Sequence, residues 1–206
     1  YGAIKSEFER VLNMNKEWSE LNKTMQAQIK KKDTYKMGID TLFNLRRQLM
    51  QTLVSFKEDL CREDFNAIPF INADGYHSKT IAYSIWHIFR IEDIVAHTVI
   101  TEDEQVFFTG NYQVRINSPI ITTGNELVKQ QIADFSKQLN LEELYSYIFE
   151  VRESTEKILE RFSYDELKWK IPDERKGYLK SLNVVNCDEK AIWLIDYWCN
   201  KDICGL

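Results

Sequence analysis

Proline and glycine are scarce in this 206-residue chain, three and seven respectively, which removes most of the turns that a many-stranded sheet would need. Cysteine is scarce too. Cys61, Cys187, Cys199 and Cys204 contain no CxxC pair and are too few to scaffold a chain of this length, so reduced thiols are expected. No apolar run approaches the roughly 20 residues of a membrane span, and no basic patch followed by a short apolar core stands near the start. Neither a membrane nor a secretory route is therefore read, and a cytoplasmic location is expected. Positive charge is not in excess: the formal net charge is -5, which gives no electrostatic reason to expect nucleic acid as a partner. HExxH, HxxxH, the Walker-type glycine loop, GxGxxG and GxSxG are all missing, so the common hydrolase, nucleotide-binding and dehydrogenase readings find no support.

What remains is a chain rich in helix-forming residues, 44% hydrophobic and 13% aromatic, able to bury a sizeable core. Ile4, Phe8, Val11, Trp18, Leu21, Met25 and Ile29 recur at three- and four-residue spacings and predict an amphipathic helix over about 4–30. Lys30, Lys31 and Lys32 suit its C-terminal end. Leu42, Leu45, Leu49, Leu53, Phe56 and Leu60 predict a second helix from Thr34 or Tyr35 to about Leu60, with Gly38 in its first turn. After a loop holding Pro69 and Gly75, residues 77–100 form the most apolar helix of the chain and are expected to be central.

Residues 101–140 carry Gly110, Pro119 and Gly124 and read as an irregular excursion holding one short helix near 125–138, with a hairpin over 106–121 as the alternative. Asn140 with Glu143 predicts a capping box opening a helix to about Phe162. Ser163 with Glu166 predicts a short helix ended by Pro172, and Asn186 with Glu189 a last helix running to the end, deeply packed through Trp193, Tyr197 and Trp198. The expected architecture is all-α: an N-terminal amphipathic helix at 1–33, then a four-helix bundle at 34–206 with its irregular crossover at about 101–140.

Three histidines are the residues with chemistry to weigh. His77 opens the central helix, where capping or exposure explains it. His87 shares a face with Thr80, Tyr83, Ser84 and Arg90, a polar strip let into a mostly buried helix. Its ring is either a core-edge imidazole satisfied by a neighbouring hydroxyl or carbonyl, or a metal ligand or proton carrier. His97 lies about 80° round the helix and about 15 Å along it, too far to share an ion with His87. Glu92 and Asp93 read as solvated charges, and Asp93 points away from the His87 side. Cys199 and Cys204, five apart, are not an i, i+4 ligand pair and read as inert thiols.

At TIAYSIWHIFRIEDIVAHTVI, residues 80–100, the order of a small polar start, an apolar-Trp-His triplet and a later acid resembles the second bundle helix of the DinB-like superfamily, which includes the YfiT-like proteins. The crossover with TTGNEL, the helix LEELYSYIFEV and a Trp-rich last helix are similar to the rest of that layout over about 34–206. The resemblance implies an up-down-down-up bundle and a divalent metal, nickel or zinc, held by His87 and by an HxxxH pair on the last helix. It also implies a Lewis-acid centre that activates water or a small thiol, as in a thiol transferase or hydrolase acting on a small molecule. Residues 186–206 contain no histidine. Either the pair follows Leu206 in a longer chain, as the absence of an initiator Met before Tyr1 and the apolar end suggest, or this relative lacks it. In the second case the expected role is a non-catalytic interaction module, a homodimer associating through apolar helix surface such as the stripe of residues 4–29.

Overall fold

The computed structural model describes residues 2–68, 70, 72 and 78–206, with side chains from residue 15 onward. It is all-helical, and among the described residues no strand forms. His77, Pro69 and Gly75 lie outside the described residues, as do the side chains of Ile4, Phe8 and Val11. The contacts divide the chain into two compact units, Tyr1–Asp59 and Leu60–Leu206. The second long helix groups with the first by its contacts.

In the first unit α1 (Gly2–Ile29) and α2 (Tyr35–Asp59) are joined by a single 3-10 turn over Lys32–Thr34. Thr34 Oγ1 donates to the Gln28 carbonyl at 2.9 Å, satisfying one of the orphan carbonyls at the end of α1. Gly38 is needed for the close approach of the two helices: a β-carbon there would stand 2.6 Å from Ile29 Cγ1 and 2.7 Å from the Ile29 backbone nitrogen. Along α2 Met50 and Leu53 are buried, whereas Leu42, Leu45, Leu49 and Phe56 are only half-buried.

The second unit begins with α3 (Arg62–Asn66) and continues into α4 (Ile81–Asp93). Thr80 caps α4 by accepting the Tyr83 N–H at 3.0 Å. The helix does not stop at Asp93 but widens into a π-helical stretch, Ile94–Thr101. Wide turns of this kind are rare and concentrate at functional sites. Glu102, at φ 61, then turns the chain sharply out of the helix.

The crossover is more helical than expected. Where a hairpin was the alternative, α5 (Val106–Thr109) and α6 (Tyr112–Ile116) form instead, and the expected short helix is α7 (Gln130–Gln138). Asn140 caps α8 (Leu141–Arg161) as predicted, accepting the Glu143 N–H, while the Glu143 carboxylate turns away to Arg115. The Ser163–Glu166 pair closes half a box, but only a 3-10 turn at Glu166–Lys168 follows. Pro172 does not end a helix: its carbonyl accepts the Arg175 N–H at 3.0 Å and so starts α9 (Glu174–Leu182). The last helix, α10 (Glu189–Cys199), is capped by Asp188 and not by Asn186, and stops seven residues short of the expected end. Its Trp193 and Tyr197 are 49% and 50% exposed, correcting the expectation of deep packing for both.

Two apolar cores fill this unit. Trp86 of α4 meets Phe107 and Phe135 edge-on, at 5.4 Å and 5.5 Å, and lies tilted against Tyr147 at 6.3 Å, while Phe89 is buried one turn along the helix. Ile94 and Val99 of the π stretch pack with Leu179, Val184, Leu194 and Trp198 from α9, α10 and their link. Burying a large side chain of this kind contributes about 1.5–3 kcal/mol each. The helix Ile81–Thr101 is therefore held from both sides, and its polar residues are fixed in place by the packing around them.

Candidate functional site

The polar strip of α4 runs along the crossover and bonds to it step by step. Thr80 Oγ1 lies 2.6 Å from Ser136 Oγ, Tyr83 Oη donates to the Gly124 carbonyl at 2.9 Å, and Arg90 Nε donates to the Ile121 carbonyl at 3.0 Å. Between them His87 Nδ1 stands 2.7 Å from the Thr123 carbonyl. A carbonyl only accepts, so Nδ1 carries the proton, and in the neutral ring Nε2 keeps its lone pair. The Tyr83 ring stacks on the imidazole at 5.4 Å and 11°. Burial lowers the pKa of His87, with Lys79 adding to the fall, while the Thr123 bond and the Glu126 charge oppose it.

The TTGNEL segment is shaped to receive this strip. Gly124 sits at φ +77, and a β-carbon there would approach Tyr83 Cε2 to 3.1 Å, so both backbone and space call for glycine. Thr122 Oγ1 donates to Glu126 Oε1 and also accepts the Gly124 N–H. The other Glu126 oxygen, Oε2, is buried without a hydrogen-bond partner.

Asp93 is no solvated charge: it is fully buried and organises the next stretch of the helix. Oδ1 accepts the Val106 N–H and Oδ2 the Phe107 N–H, both at 2.9 Å, so the carboxylate caps the start of α5. Tyr147 Oη donates to Oδ2 at 2.8 Å and Arg90 Nη1 at 3.3 Å. Burial pushes the Asp93 carboxyl up, and Arg90, the Phe107 N–H and Tyr147 pull it back. Arg90 continues the network through Gln105, which reaches Thr98 Oγ1 at 2.6 Å.

His97 ends in different surroundings. Nδ1 is 2.6 Å from Asp103 Oδ1, and Nε2 is 3.0 Å from Ser154 Oγ on α8. Since a carboxylate only accepts, Nδ1 holds the proton, and in the neutral ring Nε2 accepts from the serine hydroxyl. The left-handed turn at Glu102 folds Asp103 back under the ring, and its N–H reaches the His97 carbonyl at 3.0 Å. The buried guanidinium of Arg175 holds Glu102 Oε2 at 2.8 Å and the Thr98 carbonyl at 2.8 Å, which offsets the cost of that backbone angle. Beside the ring opens a cleft of about 660 Å³, lined among others by His97, Asp103, Ser154, Glu150, Glu153 and Lys157.

The structure thus places His87 against the crossover and His97 at the cleft. Among the described residues no three of His, Cys, Asp or Glu converge as a metal-binding group. A metal centre needs three or four converging donors, so His87 by itself does not fit a complete nickel or zinc site. Ser154 and Asp103 were not read from the sequence, because their meeting depends on a π turn and a left-handed residue that no motif announces. No protein-family model, curated protein or solved structure matches the chain.

Proposed function

We propose that the chain is a DinB-like bundle protein whose His87 serves as one ligand of a divalent metal, nickel or zinc, in a small-molecule thiol transferase or hydrolase. The observation that carries the reading is the bond from His87 Nδ1 to the Thr123 carbonyl. Imidazoles that ligate metals characteristically donate their second N–H to a carbonyl or carboxylate, which fixes the tautomer and aims the free nitrogen. The lowered pKa keeps that nitrogen unprotonated. With the reading comes a cytoplasmic setting. Among the described residues no further donor group converges on His87.

The test is cobalt, nickel and zinc titration of the protein, with bound metal counted by mass spectrometry after gel filtration. Near-stoichiometric metal that His87→Ala removes, with the helical circular-dichroism signal unchanged, supports the ligand role. Metal-free protein at saturating ion, or binding that survives His87→Ala, overturns it.

A second reading rests on Trp169, Trp193 and Tyr197, which are 58%, 49% and 50% exposed. Aromatic surface of this kind favours association, and a homodimer without catalysis follows from it. Sedimentation of the wild type against Trp193→Glu/Tyr197→Glu separates the two readings: a dimer that the double variant dissociates supports association, and a concentration-independent monomer rejects it.

A further inference from the structure

We propose that Ser154, His97 and Asp103 form a metal-independent acyl-transfer site, distinct from His87, that accepts small esters carrying positive charge. The argument starts from hydrogen-bond direction. Asp103 Oδ1 accepts the hydrogen bond of Nδ1–H at 2.6 Å, which in the neutral ring leaves the Nε2 lone pair to receive the Ser154 hydroxyl proton at 3.0 Å. Serine, imidazole and carboxylate linked in that order are the parts of an activated nucleophile, and such a triad is recognised by roles and geometry on any fold. Asp103 is held from a second side, since Thr101 Oγ1 donates to the same oxygen at 2.8 Å. All three groups line one open cleft, so a substrate can reach Oγ.

In the first step Oγ bonds to the ester carbonyl carbon while its proton passes to His97 Nε2, and the carbonyl pair moves onto oxygen. Collapse of that adduct expels the alkoxide, which leaves as the alcohol with the proton from Nε2. Water then attacks the acyl-serine in the same manner, giving the carboxylic acid and restoring the Ser154 hydroxyl. Nothing is oxidised or reduced. Lys157, one turn further along α8 and in the same lining, is held to Glu153 Oε1 at 2.6 Å, so its charge is already taken up within the cleft. Asp93 Oδ1 lies 4.0 Å from Nε2 and favours the imidazolium as it forms. Substrate charge follows from the lining, where Asp103, Glu104, Glu150 and Glu153 face a single ammonium, Lys157. A cationic ester is drawn into that field and an anionic one repelled.

The experiment is labelling of the chain by a fluorophosphonate, read by intact mass and peptide mapping, with a chelator present throughout. The expected result is one phosphonyl group on Ser154, lost completely in Ser154→Ala and slowed at least about 100-fold in His97→Gln. Asp103→Asn tests positioning: labelling of Ser154 slows at least about 10-fold and is restored in part by Asp103→Glu. Circular dichroism of each variant confirms that it is folded. Tetramethylammonium is expected to slow labelling while benzenesulfonate does not. No label on folded wild type, label on another residue, or label retained in Ser154→Ala overturns the site. Protection by benzenesulfonate over tetramethylammonium overturns the assigned substrate charge.

Discussion

His87 and His97 stand on one uninterrupted helix, ten residues apart, and the structure gives them opposite company. His87 bonds to the Thr123 main-chain carbonyl of the crossover, its neighbours Arg90 and Tyr83 donate to the Ile121 and Gly124 carbonyls, and the Tyr83 ring stacks on one face of the imidazole. Around His97 the partners are side chains, Asp103 and Ser154, with a cleft alongside. Backbone partners fix a ring and leave one nitrogen to offer; side-chain partners form a relay through which a proton can pass. Asp93 separates the two regions, and its own contrast with Asp103 is just as sharp: one carboxylate is fully buried, the other is 54% exposed.

That contrast can be broken most forcefully at Asp93. Asp93→Ala strips the cap from α5 and leaves the Arg90 guanidinium buried without its carboxylate, a loss of about 3–5 kcal/mol. Asp103→Ala removes an acid facing solvent and is expected to cost under about 1 kcal/mol. Urea denaturation of both variants checks the pair, and near-equal midpoints would show that Asp93 is not the hub of the buried network. The predicted gap is large because the two carboxylates differ in what they leave behind: a stranded internal charge in one case, a neutral imidazole N–H beside an open cleft in the other.

A smaller effect sharpens the His87 side. Tyr83→Phe keeps the ring stacked on the imidazole but removes the donor to the Gly124 carbonyl, a change of about 0.5–1.5 kcal/mol. Amide hydrogen exchange should then quicken over residues 121–126 and leave the amides of 97–103 unchanged. Equal quickening at both places would mean that the two regions act as one unit.

Periodicity and caps made much of this molecule legible in advance. α2 is legible because Leu and Phe recur at helical spacing, and α8 begins after Asn140 because that side chain takes the Glu143 N–H. The polar strip Thr80, Tyr83, His87, Arg90 was readable for the same reason, as one face of a wheel. What escaped was non-local or irregular. IVAHTVIT reads as plain apolar helix, and nothing in it announces the π turn. Asp93 looked solvated because Arg90, its partner one turn back, was assigned to the His87 face, and its other partners, Val106, Phe107 and Tyr147, lie far along the chain. Pro172 was read as a stop, since the residue before proline disfavours helix, yet its carbonyl serves the start of α9. Ser154 sits between Glu153 and Thr155 on an otherwise ordinary helix, and only the fold brings it to His97.

The finest test of the comparison is titration of His87 itself, with chelator present so that no ion holds the ring. Its folded pKa lies below the ordinary value of about 6.5 that it has in the unfolded chain, chiefly because burial disfavours the imidazolium. The folded state therefore binds fewer protons than the unfolded state in the window between those two values. Stability linked to this ring is complete above about pH 6.5 and is lost as pH falls through the folded value. Protonation leaves the Nδ1 bond to Thr123 intact, since that nitrogen already carries its proton, so the cost falls on the desolvated Nε2 side. Proton NMR of the ring C–H signals should accordingly show one resonance moving at a pH below 6.5, absent in His87→Gln, and the acid-side slope of stability should shrink in that variant. A midpoint at or above 6.5 would mean that the ring is hydrated, and the distinction between a carbonyl-locked imidazole and a relay imidazole would have to be redrawn.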